Sequence, residues 1–128
     1  SMSKFQATMQ EFKEALEELK EVLAMEKNDV VRDSAIKRFE LTFELCWKSA
    51  KVYLEEYRNV RCASPQMCFR ELFNHGVIDY DEIWIDMARW RNEAVHTYKE
   101  ELAENLYAKL PRTIKYFDLL LKRLTASK

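Results

Sequence analysis

Eight consecutive residues, Arg91-Asn92-Glu93-Ala94-Val95-His96-Thr97-Tyr98, crowd a cation, an amide, an imidazole and a phenol together, a mixture the rest of the 128-residue chain does not repeat. A guanidinium can clamp a phosphate or carboxylate through two parallel hydrogen bonds. An imidazole changes charge near neutral pH and so can accept or donate a proton. If the segment is helical, Asn92 and His96 are four apart on one face, and Arg91 and Tyr98 are seven apart on a neighbouring one. All four could then line one groove. A blander reading gives the same residues no chemistry: His96 bonded to a carbonyl at a helix terminus, and Arg91 a solvated surface charge.

The elements that hold this segment must be helices. One glycine and two prolines, with 48% hydrophobic and 34% charged residues, leave too few turn-formers for anything but long helices and few loops. The length suits a single domain over residues 1–128 that needs no staples. A net charge of -1, from 21 basic and 22 acidic residues, excludes a global basic footprint, so any nucleic-acid contact must be local. Cys46, Cys62 and Cys68 form no CxxC pair, and their odd number suits reduced thiols. With two histidines besides, no structural metal site is expected, and no cofactor is implied. No apolar run approaches the ~18 residues of a membrane span, and no signal peptide is evident, so a cytoplasmic location is expected. Ser1 ahead of Met2 reads as a cloning remnant.

Phe5, Met9, Phe12, Leu16, Leu19 and Leu23 repeat at four and three, an apolar stripe on a first helix with a solvated Glu- and Lys-rich back. Asn28-Asp29 caps a second helix, whose stripe runs Ile36, Phe39, Phe43, Cys46 with Trp47, Ala50, Tyr53 with Leu54, and Tyr57. Beside that stripe, Glu40, Glu44 and Lys48 form either an exposed ladder or a polar seam facing the groove. Residues 58–61 read as a connection. Ser64-Pro65 starts a short third helix with Met67, Cys68, Leu72 and Phe73 inward, and it stops at His75-Gly76. His75 there is a partner for the helix C-terminus rather than a ligand.

Asp79 or Asp81 can cap a fourth helix with Ile83, Trp84, Met87, Ala88, Ala94 and Val95 inward. Arg91 falls where that stripe calls for an apolar residue, so it must be paired or must face a groove. Thr97-Tyr98-Lys99-Glu100 reads as a capping box opening a fifth helix, which puts His96 at a junction. That last helix carries Leu102, Leu106, Leu110, Ile114, Phe117, Leu121 and Leu124, with Pro111 able to kink or restart it. The fold class is all-α, an up-and-down four-helix-type bundle with a short extra helix.

Arg91-Asn92-x3-His96-x-Tyr98 has the form RX4HXY, and with it go Val31 to Glu40, Phe43 to Lys48, the Ser64-Pro65 turn, and Gly76 to Asp79 before Trp84. In these features the chain resembles the HEPN superfamily. It is most similar there to the nucleotidyltransferase substrate-binding proteins, which are related to the HepT toxins of HEPN/MNT toxin–antitoxin pairs. The resemblance covers nearly the whole chain. It implies a helical homodimer bringing two motifs into one cleft and, in active members, a metal-independent endoribonuclease acting on RNA such as tRNA or mRNA. By the same resemblance Arg91, Asn92 and His96 are the catalytic residues, while Tyr98 is the phenol that a partner MNT-type nucleotidyltransferase modifies with AMP.

Two other readings stay open. In one the protein is a non-catalytic substrate- or nucleotide-binding subunit of a separate nucleotidyltransferase, with Arg91, His96 and Tyr98 binding phosphate or accepting nucleotide. In the other it is a helical dimerisation module with a spent site. The chain lacks the Gly-Ser and paired aspartates of a nucleotidyltransferase, so no nucleotide transfer by the chain itself is expected.

Overall fold

The computed structural model describes residues 1–128 and contains helices only. Helix α1 spans Lys4–Leu23, α2 Asp29–Arg58, α3 Pro65–Asn74, α4 Ile83–Glu93 and α5 Glu100–Ala126, with a single 3-10 turn, Ala94–His96, between the last two. Helix α2 packs against each of the other elements. Around it α1, α4 and α5 complete a four-helix-type bundle, and α3 is the short extra helix.

Local chemistry sets most boundaries. Ser3 and Gln6 form a reciprocal capping box at the start of α1. The Asn28 side chain accepts the Val31 N–H at 2.8 Å, and the Ser64 hydroxyl accepts the Met67 N–H at 3.3 Å just ahead of Pro65. Two left-handed residues end helices, Asn59 after α2 and Gly76 after α3. At Gly76, φ is 72°, which a side chain would strain. Asp81 accepts the Ile83 N–H at 3.0 Å, so it opens α4 in preference to Asp79.

One contiguous cluster of 33 buried residues forms the core. Phe12, Leu19, Phe39, Phe43, Leu110 and Phe117 are fully buried in it, and the Phe39 ring lies 6.2 Å from both Phe43 and Phe117. A T-shaped contact at 6.1 Å ties Phe12 of α1 to Phe117 of α5. At the far end the Tyr53 hydroxyl donates to the Ser127 carbonyl at 2.7 Å. Near the N-terminus of α5, Arg32 lies within 3.6 Å of carboxylate oxygens from Asp29, Asp33, Glu100 and Glu104. Asp29, Glu100 and Glu104 could by spacing hold a metal ion, but the Arg32 guanidinium supplies the positive charge there.

Several expectations are corrected. Cys62 and Cys68 are joined by a disulfide, with Cα atoms 5.2 Å apart, and only Cys46 is free. The loop before α3 folds back on the first turn of that helix, a proximity that Cys spacing could not reveal. On α3, Met67 and Phe73 are exposed and Phe69 is buried instead, because α3 meets the bundle through residues 68, 69 and 72. Trp47 and Leu23 are half-buried, and Tyr57, Val95 and Leu102 are exposed, since each lies at the margin of its stripe. Thr97 caps nothing on α5: its hydroxyl donates back to the Ala94 carbonyl at 2.8 Å, and Lys99 is the N-cap. Helix α5 does not restart at Pro111 and continues through it.

Burial therefore ranks the aromatic residues of α2. Phe43→Ala should cost about 3–5 kcal/mol in urea unfolding, the range for a fully buried Phe that leaves a cavity. Trp47→Ala, at a half-buried position, should cost clearly less, and the order would reverse if Trp47 were the main core contributor.

Candidate functional site

Position 91 breaks the apolar pattern of α4, and the structure shows what resolves it. Arg91 turns toward α2, where its Nη1 donates to the Glu44 carboxylate at 2.7 Å, and both side chains are 31% exposed. The guanidinium also stands over the Phe43 ring, 5.6 Å from its centroid. Arg91 Nε is buried with no hydrogen-bond partner. One edge of the fork is thus fixed and another donor is unspent.

Glu44 is the hub of this arrangement. Besides Arg91 it accepts from Trp47 Nε1 at 3.1 Å and lies 3.3 Å from Lys48 Nζ, one turn on. Burial pushes the Glu44 carboxyl upward, but the hydrogen bonds from Trp47 and Lys48 and the charge of Arg91 outweigh it, and the net shift is below the ordinary glutamate value. Glu40, Glu44 and Lys48 are accordingly a polar seam that meets the motif at Glu44. A shallow cavity of about 370 Å³ lies against the seam, lined by Lys37, Arg38, Glu40, Leu41, Glu44 and Arg91.

The other motif residues face solvent. The α-helix ends at Glu93, and Ala94–His96 tighten into a 3-10 turn. A 3-10 step turns about 120° against about 100° in an α-helix, which carries His96 roughly 40° further round from Asn92 than a continuous α-helix would. The Lys99 N–H donates to the His96 carbonyl at 3.2 Å, and Thr97 caps the turn through Ala94. Asn92, His96 and Tyr98 are exposed, Tyr98 by 78%. The His96 and Tyr98 rings meet edge to face with centroids 6.5 Å apart. The structure therefore makes two groupings: Arg91 with Glu44 in the seam, and His96 with Tyr98 on the surface of the turn. Within one chain, Asn92, His96 and Tyr98 do not line the cavity beside Arg91.

Phe43, Lys37, Arg38 and Leu41 were not read as site residues. A signal existed: Lys37, Glu40, Leu41, Glu44 and Lys48 share one stripe along α2 at helical spacing. Nothing in the sequence showed that Arg91 would meet that stripe 47 positions upstream.

The family described as nucleotidyltransferase substrate binding protein like matches residues 1–126. Among solved structures, a Thermus thermophilus protein superposes with a TM-score of 0.83 at 36% identity, covering 88% of this chain and 98% of that one. HI0074 from Haemophilus influenzae is described as having the fold of a substrate binding domain of a nucleotidyltransferase. It superposes with a TM-score of 0.68 at 22% identity over 94% of this chain and 96% of its own, a likeness of fold alone. No curated protein matches the chain.

A carboxyl held below its ordinary value stabilises the fold above the unfolded pKa, and that contribution is lost as pH falls through the folded pKa. Glu44 should therefore add to stability at neutral pH and lose its contribution below about pH 4.3, the ordinary glutamate value. Glu44→Gln should reduce stability at pH 7 by about 1–2 kcal/mol, the range for a charge-assisted, partly exposed pair, and should flatten the acid limb. Urea midpoints between about pH 3 and 7 read both effects, and an unchanged acid limb would remove Glu44 as its cause.

Proposed function

The chain belongs to the nucleotidyltransferase substrate binding protein-like family, and from that membership we propose that it is a HEPN-type metal-independent endoribonuclease toxin. It acts as a homodimer and is controlled by a partner MNT-type nucleotidyltransferase that modifies Tyr98. The observation that carries this reading is the division of the motif, with Arg91 anchored by Glu44 and His96 left exposed beside an exposed Tyr98.

In the proposed reaction the 2′-hydroxyl of one ribose attacks its own 3′-phosphorus. The new P–O2′ bond forms as the P–O5′ bond breaks, leaving a 2′,3′-cyclic phosphate and a free 5′-hydroxyl. One histidine takes the 2′-hydroxyl proton and a protonated one supplies the 5′-oxygen. Two copies of His96 across a homodimer cleft would fill these roles. Arg91 would hold the phosphate oxygens as charge builds, and its anchored edge keeps the planar fork in one orientation. Asn92, exposed one residue on, would orient the phosphate or the imidazole.

Control follows from Tyr98. When its phenolic oxygen attacks the α-phosphorus of ATP, pyrophosphate leaves and the phenolic proton passes to solvent or base. The AMP so attached puts negative charge beside the imidazole, whose ring centroid lies 6.5 Å from that of Tyr98, and would repel RNA. The second reading, a non-catalytic subunit that presents a substrate or nucleotide to a separate nucleotidyltransferase, draws support from the family's description. The same Arg91, His96 and Tyr98 would serve it.

Purified protein incubated with mixed RNA and EDTA should cut, leaving 2′,3′-cyclic phosphate ends, and Arg91→Ala and His96→Ala should each lower the rate by at least about a hundredfold. Silence from the wild-type protein, with mass spectrometry showing unmodified Tyr98, would favour the binding-subunit reading. With the partner nucleotidyltransferase and labelled ATP, Tyr98→Phe should keep cleavage and lose labelling, and label retained by that variant would place the modification elsewhere. Sedimentation at micromolar concentration should give a dimer, because a monomer would leave each site a single imidazole.

A further inference from the structure

The chain carries a net charge of -1, yet residues 109–128 hold six basic residues and one acidic one. Helix α5 sorts these charges by flank. Lys109, Arg112, Tyr116 and Arg123 follow at three, seven and fourteen residues from the first, so they share one stripe beside the buried face. The lone acid, Asp118, lies on the opposite flank and is taken up by Lys20 of α1 at 2.8 Å. The other ion pairs of α5 lie near its N-terminus, where Glu100 and Glu104 hold Arg32 and Lys27. Lys109, Arg112, Lys115 and Arg123 join none of them.

Aromatic rings lie under Lys109, Arg112 and Lys115. Lys109 Nζ stands 5.5 Å and the Arg112 guanidinium 5.7 Å from the centroid of Trp90, and Lys115 Nζ stands 5.1 Å from that of Tyr116. Tyr116 in turn packs edge-on to Trp84 at 6.0 Å. Trp90 is only 3% exposed, and its Nε1 has no hydrogen-bond partner. The rings hold the ammonium and guanidinium groups themselves along the α4–α5 seam, so these groups have less freedom to lose on binding an anion. Trp90 directly precedes Arg91, so the strip begins beside the motif. From Lys109 to Arg123 it runs about 21 Å along α5 at about 1.5 Å per residue.

We propose that this α4–α5 strip is the docking track for single-stranded RNA, its cations engaging successive phosphates and leading the chain to the motif. The proposal rests on the ribonuclease reading for its choice of polyanion. Charge complementarity selects the partner: a run of α5 cations that join no ion pair fits a phosphate backbone. Exposed Arg112 and Arg123 would contact phosphate.

The test measures binding separately from cleavage. Fluorescence anisotropy of a labelled oligouridine of about 20 nucleotides is followed from about 50 to 300 mM salt in a His96→Ala background, which keeps the probe whole. The variant Lys109→Gln/Arg112→Gln/Lys115→Gln is compared with a control that removes equal charge elsewhere, Lys4→Gln/Lys13→Gln/Arg61→Gln. Each lost phosphate contact removes ~0.7 from the slope of log K against log salt, so the strip variant should be shallower by about two units while the control matches its parent. Equal slopes for strip and control would overturn the proposal even where the wild-type protein cuts RNA. A slope change in this background, with RNA left uncut by the protein that retains His96, would keep the strip and lose the ribonuclease reading. A DNA duplex of the same length bound as tightly as the RNA would overturn the assignment to single strands. Dissociation of the strip variant into monomers with RNA binding unchanged would make the face a contact between copies and would equally overturn it.

Discussion

A helix that must touch every other element cannot present a single narrow stripe, and α2 shows how that constraint is met. Its buried set includes Phe39, Phe43 and Leu54, but also Ala35, Thr42, Ser49 and Ala50. The large side chains fill the centre of the bundle, and the small ones let neighbouring helices approach closely. Thr42 satisfies its hydroxyl on the Arg38 carbonyl at 2.7 Å, so its burial leaves no donor stranded. With most of its circumference committed to packing in this way, α2 has one polar margin left along its length, and Glu44 lies there. The site is where it is because that margin is the place a charged residue of α4 can reach α2 without crossing the core.

What was legible in the sequence is local, and what was not is tertiary. Periodicity located the helices, because amphipathic stripes and caps are local: Asn28, Ser64 and Gly76 act through residues a few positions away. The anomaly of Arg91 was legible too, as a cation in an apolar register that demanded a partner. Which partner it takes depends on how α4 lies across α2, a tertiary fact with no local trace. The Cys62 and Cys68 pairing failed for a related reason, since odd cysteine counts speak to compartment and not to a loop that doubles back. Thr97 failed through competition: its hydroxyl took the Ala94 carbonyl at the end of the 3-10 turn in preference to the amides of α5.

The position of the motif at a helix junction has a chemical logic. A histidine inside α4 would be held by packing, whereas the turn leaves His96 and Tyr98 exposed while Arg91 stays fixed inside the seam. The anchoring of Arg91 and the exposure of His96 are thus divided between two kinds of backbone only a few residues apart.

Arg32 bears on how such a site can move. The guanidinium, with its side chain 8% exposed, is held by carboxylates from its own helix and from Glu100 and Glu104 at the start of α5. Sliding α5 along α2 by one helical turn, about 5.4 Å, would carry those carboxylates away and strand the charge. Translation between the two longest helices is therefore latched, while the 3-10 turn is tied through one side chain, the Thr97 hydroxyl on the Ala94 carbonyl. A displacement of Tyr98 would thereby be taken up as a twist of the junction, leaving the register of the bundle intact.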